Sequence, residues 1–415
     1  MKLEKFSFGV GDRFGMQGKA QLGAIMQAAY HGITIVPVWN KSFREHQIIH
    51  TDPEEVRLEA DQSIKALNWK GNYYVDADHI NLSNVDNFLY HSDFFTIDVA
   101  DFIGKKADQA DIDGFLKTNE RFIGKFKIDR LDQEFEITRD NLRKIAVKYL
   151  YAIKKAKEIY KYIETKKGKG NFVAEVSMDE VNDPQTPLEL FFILSALAEE
   201  NVPLQTIAPK FSGRFNKGVD YAGDLNRFSE EFHADLLVID KAISEFDLPS
   251  NLKLSVHSGS DKFSIYPIMG KWIRKFDKGI HVKTAGTTWL EEVIGLALAG
   301  YDALDLAKSI YRKAYERREE LCGPYATVID IDESKLPLPE EVEKWDSKKF
   351  ADSLRHIPNH PDYNPNLRQL IHVGYKIAAE YSNVYVSMIR RNEEIVAHQV
   401  SENIFERHIR RLFNI

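Results

Sequence analysis

The stretch NYYVDADHI (72–80) reads as a buried strand that ends on acid and imidazole. Aromatic and β-branched residues run to Val75, and then Asp76, Asp78 and His79 interrupt them. Three further stretches have the same form: NFVAEVSMDE (171–180), with Glu175 inside its apolar run, KLSVHSGSDKF (253–263) and GIHVKTAGTTW (279–289). Buried charge is costly unless it is paired or bound to a metal. Four such switches over two hundred residues point to one site assembled from the ends of several strands.

Working outward, β-like runs at 5–9, 33–38, 94–98 and 204–208 join those at 72–76, 171–177, 252–257 and 279–283, making eight. Segments with helical spacing lie between most of them, at 21–32, 54–67 and 187–201, the last opening on Pro187, where its missing donor is harmless. Strands alternating with helices predict a parallel sheet, and eight repeats predict a closed (β/α)8 barrel of the TIM type. The longest interruption, about 101–170, contains a helix from about Asn141 to Lys166 and reads as a helical insertion between strands 4 and 5. After about 300 the chain is mostly helical. The expected organisation is therefore a barrel over 1–300 and a helical C-terminal extension over 301–415 packed on it.

The chain has 415 residues, 43% of them hydrophobic, enough for a large core. A net charge of −7 argues against non-specific nucleic-acid binding. No stretch has the apolar length of a membrane span, and MKLEKFSFG lacks the apolar core of a signal peptide. The single Cys322 excludes an intramolecular disulfide and suits a reducing cytosol. A cytoplasmic location is the expectation.

In such barrels functional residues sit at the C-terminal strand ends and in the loops that follow. That rule selects Asp12 and Arg13 after the first strand, Trp39 and Lys41 after the second, and Asp78 with His79 at the third. It adds Glu175 on the fifth, Lys210 after the sixth, His257 at the seventh, and His281 with Lys283 at the eighth. Three imidazoles from separate strands can converge on one divalent cation and leave positions open for substrate. Asp78 and Glu175 then remain for acid–base work. Asp76 competes with Asp78, because adjacent Asp78 and His79 serve together only if the strand turns there. Asp179 and Glu180 read as caps or solvent-facing acids, and Lys210, Lys262 and Lys283 as candidate anion ligands. FGVGDRFG is not a dinucleotide loop, since Phe14 stands where the third glycine belongs. His356 and His360 lie in a polar loop, His408 reads as part of a solvated amphipathic helix, and Cys322 as structural.

These strings bring a family into view. SFGVGDRFG, VDADHI, AEVSMDE, SVHSGSDKFSIYP, HVKTAGTTWLE and LRQLIHVGY occur in the order found in the tagaturonate/fructuronate epimerase family, which the chain resembles from about Phe6 to Tyr375. The resemblance implies an isomerase binding one divalent cation through His79, His257 and His281, with Asp78 as proton acceptor and Glu175 as proton donor. It thereby chooses Asp78 over Asp76. Three imidazoles suit Zn, Mn, Co, Ni or Fe. The implied reaction interconverts D-tagaturonate and D-fructuronate, inverting the carbinol carbon β to the ketone by retro-aldol and aldol steps. A uronate needs a cation without an acidic partner of its own, and Lys283 is the first choice, with Arg13, Lys210 and neighbouring Asp12 as other substrate contacts. The alternatives are a ketose 4-epimerase acting on tagatose and fructose, a metal-dependent aldolase or sugar isomerase, and a non-catalytic sugar-binding regulator.

Overall fold

Eight parallel strands close into a barrel in the order β1-β10-β9-β8-β7-β4-β3-β2. They are β1 (Phe6–Val10), β2 (Val36–Ser42), β3 (Tyr74–Ile80), β4 (Phe94–Asp98), β7 (Val173–Ser177), β8 (Thr206–Ala208), β9 (Lys253–His257) and β10 (Ile280–Lys283). The computed structural model describes residues 1–284 and 287–415; Ala285 and Gly286, within HVKTAGT, lie outside the described residues. Each of the eight runs read from the sequence is one of these strands. The largest shift is at β2, which starts three residues later than expected and continues to Ser42, so Trp39 and Lys41 lie within the strand. Trp39 is fully buried, edge-on to Tyr73, and takes no part in a site.

The segment between β4 and β7 holds more than a helix. A helix at Gln109–Asn119 leads into an antiparallel hairpin, β5 (Gly124–Lys127) paired with β6 (Glu134–Ile137), and only then comes the crossover helix Arg139–Lys167. The hairpin is short and highly charged, GKFK against EFEI, which hid it from a hydrophobic reading. Thr138 caps the long helix by accepting from the Asn141 amide.

Side chains alternate along each strand, so one parity fills the barrel. At the base that parity is apolar: Val36, Val38, Tyr74, Phe94 and Val173 pack together with Leu3. Higher up, the same faces carry Asp76, Asp78, Thr96, Glu175, His257 and Lys283. The lumen thus changes from oil to charge within one strand length.

Two larger cores surround it. One joins the barrel wall, the inner helices and residues 400–413. The other runs from Trp289 through the extension to Val396 and takes in Phe14 and Met16 from the loop after β1 and Ile48 and Ile49 from the helix after β2. The extension is therefore fixed over the C-terminal mouth.

Candidate active site

Lys283 occupies the centre. Its ammonium donates to Asp76 (2.8 Å), Asp78 and Thr96 (2.8 Å), and lies 3.6 Å from Glu175. Gly9 clears its path, since a Cβ there would stand 3.0 Å from Lys283 Cγ. Thr96 Oγ1 lies 3.0 Å from both Asp76 oxygens and 3.2 Å from Glu175 Oε1. The expected free cation is instead committed to three carboxylates, and these hold its pKa above the ordinary lysine value despite burial.

Asp78 and His79 do share the lumen, because β3 is not regular there. The pairing register with β4 shifts between Ala77 and Ile80, and His79 takes the left-handed conformation at φ 52°. That bulge turns the imidazole back beside its neighbour, whose Oδ1 accepts from Nδ1 at 2.8 Å. His257 is oriented likewise, with Nε2 at 2.7 Å from Glu175 Oε1. The two rings stand 5.3 Å apart.

Asp179 completes this group. Its Oδ1 lies 3.2 Å from His257 Nδ1 and 3.9 Å from His79 Nε2, and Ser177 donates to it. One ligand atom each from His79, Asp179 and His257 falls within 4.8 Å of the others, a group that could hold a metal ion. Asp179 neither caps a helix nor faces solvent. The available signal was parity, because 175, 177 and 179 share one face of β7 and its continuation.

His281 is placed differently. It pairs in register with Ser255 while Lys283 pairs with His257, one step deeper in the barrel. Its Nδ1 meets Ser7 Oγ at 2.9 Å, and its ring lies 5.2 Å from Phe94 of the apolar base. Burial drives its pKa down to about 3, so it is neutral.

Charge in the lumen is closely coupled. Burial raises the pKa of Asp76 to about 6, against the opposing pull of Lys283. Asp78, Glu175 and Asp179 are held below the carboxylate range: burial opposes this, but Lys283 with His79, Lys283 with His257, and the two imidazoles respectively outweigh it. Three carboxylates thus stay ionised beside the Lys283 ammonium and two imidazoles, whose own pKa values Asp78 and Asp179 raise against burial.

The other expected contacts lie around the mouth. Asp12 organises its own loop, accepting from the amides of Phe14 (2.8 Å), Met16 and Gln17 (2.6 Å). Arg13 is buried, with Nε 3.1 Å from Glu45 and its guanidinium 4.3 Å above Tyr375. Lys210 donates its amide to Gln185 at 2.7 Å. Lys262 is spent on the Asn216 carbonyl and Ser260, both at 3.0 Å. His408 is fully buried rather than solvated, bonding Asp261 at 2.9 Å, and His356 bonds the same carboxylate at 3.1 Å.

Comparison with known proteins agrees with this architecture. A protein of Thermotoga maritima named tagaturonate/fructuronate epimerase is 28% identical over 423 residues, covering 97% of this chain and 80% of its own. A glycerol complex of fructuronate-tagaturonate epimerase UxaE from Cohnella laeviribosi superposes with a TM-score of 0.82 at 23% identity, over 99% of this chain and 82% of that one. The native crystal structure of that enzyme gives 0.81 at 22% identity, with the same coverage. These two structures bear on the fold, which is shared through barrel and extension. The family model for UxaE, tagaturonate epimerase, matches residues 1–412, and the chain belongs to that family of carbohydrate epimerases.

Proposed function

We propose that the protein interconverts D-tagaturonate and D-fructuronate by breaking and remaking the bond between the carbons α and β to the ketone, with one divalent cation bound in the barrel mouth. The supporting observation is the paired orphaned nitrogens. Among the described residues His79 Nε2 and His257 Nδ1 are buried without a well-aligned hydrogen-bond partner and face Asp179, while a carboxylate holds the other nitrogen of each ring. Carboxylate-oriented imidazoles converging with a third carboxylate fit a cation site. His79, His257 and Asp179 would hold the ion; His281, expected from the resemblance, lies a step deeper with Nε2 also unpartnered. When bound, the ion supplies Lewis-acid stabilisation of charge developing on the ketone oxygen.

The hydrogen on the β carbon is not acidified by the ketone, so enolisation cannot invert that centre. The β-hydroxyl proton can be removed. Asp78, half-buried at the mouth, accepts it; the α–β bond then breaks, its electron pair passes to the α carbon, and the β carbon becomes an aldehyde. The aldehyde half turns over, the bond reforms on the opposite face, and the proton that Asp78 accepted passes through Lys283, which touches both carboxylates, to Glu175 and from there to the new hydroxyl. Glu175 Oε2 is buried without a partner among the described residues, an atom free to carry that proton. The roles exchange with direction. Lys283 keeps both carboxylates ionised between turnovers. Such a metabolic role suits a cytoplasmic enzyme.

The test is turnover in deuterated water, followed by NMR of the product. Inversion without deuterium at the β carbon is expected. Deuterium there means direct proton abstraction and overturns the bond-breaking route. Accumulating three-carbon products would indicate an aldolase.

A further inference from the structure

Lys283 cannot grip a substrate carboxylate while it serves three of the protein's own, so that task falls elsewhere. The mouth contains a second cationic group. Tyr325 and Tyr375, both from the extension, touch through their hydroxyls at 3.0 Å. Arg13 stacks on Tyr375, and Arg44, Lys376 and Lys217 surround Tyr325 at 4.5, 5.4 and 5.7 Å from its ring centre. Glu45 answers one of these cations, and Glu320 near Lys376 is already engaged by Arg317 at 2.7 Å.

The group is poorly satisfied. Arg13 is 8% exposed, yet among the described residues its Nη1 has no acceptor and its Nε only the poorly aligned Glu45 at 3.1 Å. Buried His372, in the helix Pro365–Val373, leaves Nδ1 unpartnered. Burial lowers the pKa of Lys217, with Arg13 and Arg44 adding to the shift against Glu45 and Glu180. Buried donors without acceptors and crowded like charges are relieved by an incoming anion.

The cluster also adjoins the reacting groups. Glu45 accepts from the amide of Ser42 at 3.1 Å, and Ser42 pairs in register with Asp78. Glu180, whose charge Lys217 feels, lies 4.0 Å from His79. Arg13 follows β1, Glu45 follows β2 and Lys217 follows β8, so all three rise from the same end of the barrel.

We propose that Arg13 and Lys217, roofed by Tyr325 and Tyr375, form the pocket that binds the substrate carboxylate and selects sugar acids over neutral ketoses. This rests on the keto-uronate reading. It also gives the extension a function, since without it the pocket has no roof.

The test separates the two claims by measuring binding apart from turnover. Galactonate, a six-carbon sugar acid, and galactitol, its neutral counterpart, are titrated calorimetrically into metal-loaded wild type, Lys217→Met and Lys217→Arg. Lys217→Met is expected to weaken galactonate by at least about tenfold, the weight of a charge-assisted contact, and galactitol by less than about twofold. Lys217→Arg should retain most of the galactonate affinity, which shows that the fold tolerates change there. Equal losses for both ligands, or none for either, overturn the pocket. If wild type turns over neither keto-uronate, the proposed reaction fails while the galactonate series still decides the pocket.

Discussion

The ammonium of Lys283 lies 2.8 Å from Oδ2 of Asp76, on a strand three places around the barrel wall but adjacent across its lumen. Removing that charge leaves Asp76, Asp78 and Glu175 facing one another in a buried space, where like charges force protonation. Lys283→Met should therefore lower kcat by roughly 10²–10⁴, the usual range for losing acid–base function, on tagaturonate and tagatose alike. Steady-state kinetics on both sugars checks it. A variant that loses only affinity for the uronate returns Lys283 to the role expected from the sequence.

Metal content separates the two candidate ligand sets. His79→Ala and His257→Ala should abolish stoichiometric binding, and Asp179→Asn should weaken it by roughly 10- to 100-fold. His281→Gln should keep it. Elemental analysis after dialysis gives the answer; loss in His281→Gln with retention in Asp179→Asn restores the three-imidazole set.

Glu59 makes stability depend on pH. Burial, then the nearby Asp12 charge, raise its pKa from 4.5 to about 8. Between those values the folded chain keeps a proton that the unfolded chain releases, so this group's contribution falls as pH rises from 4.5 to 8. Glu59→Gln should match wild type near the lower value and exceed it above pH 8 by on the order of 2 kcal/mol. Denaturation midpoints across that range check the crossover. A constant difference at every pH contradicts it.

Asp261 should be the costliest single carboxylate to neutralise. It is fully buried and accepts from Arg368 (2.8 Å), His356 (3.1 Å), His408 (2.9 Å) and Thr287 (3.1 Å), tying the loop after β9 to four later segments. Asp261→Asn leaves the buried Arg368 charge with only Glu291, at 3.8 Å, a loss of about 3 kcal/mol measurable by denaturant unfolding. A change below about 1 kcal/mol would show that the hub is redundant.

The barrel was legible because parallel strands are buried on both faces and read as plain apolar runs. The charged residues inside those runs marked the site for the same reason: Glu175 within VAEVS has no bland explanation. Local backbone was harder to read. The bulge that lets Asp78 and His79 act together leaves no mark in VDADHI, and Asp179 sits in a loop where acids are ordinary. Partnership was hidden altogether. Lys283 looks free until β3 and β7 bring their carboxylates to it, and His408 looks solvated among arginines until the chain folds it against Asp261.

Phe6 of β1 meets Phe413 at 4.9 Å between ring centres, and residues 400–413 belong to the barrel's own core. Gly270 seats this segment so closely that a Cβ would collide with the Leu412 carbonyl. The first strand made is thus covered by a segment about four hundred residues later. At translation rates of about 5–20 residues per second, the first strand waits roughly 20–80 s before that apolar seam can close. The yield in a cell is therefore set by what shields the seam during synthesis, as much as by the stability of the finished enzyme.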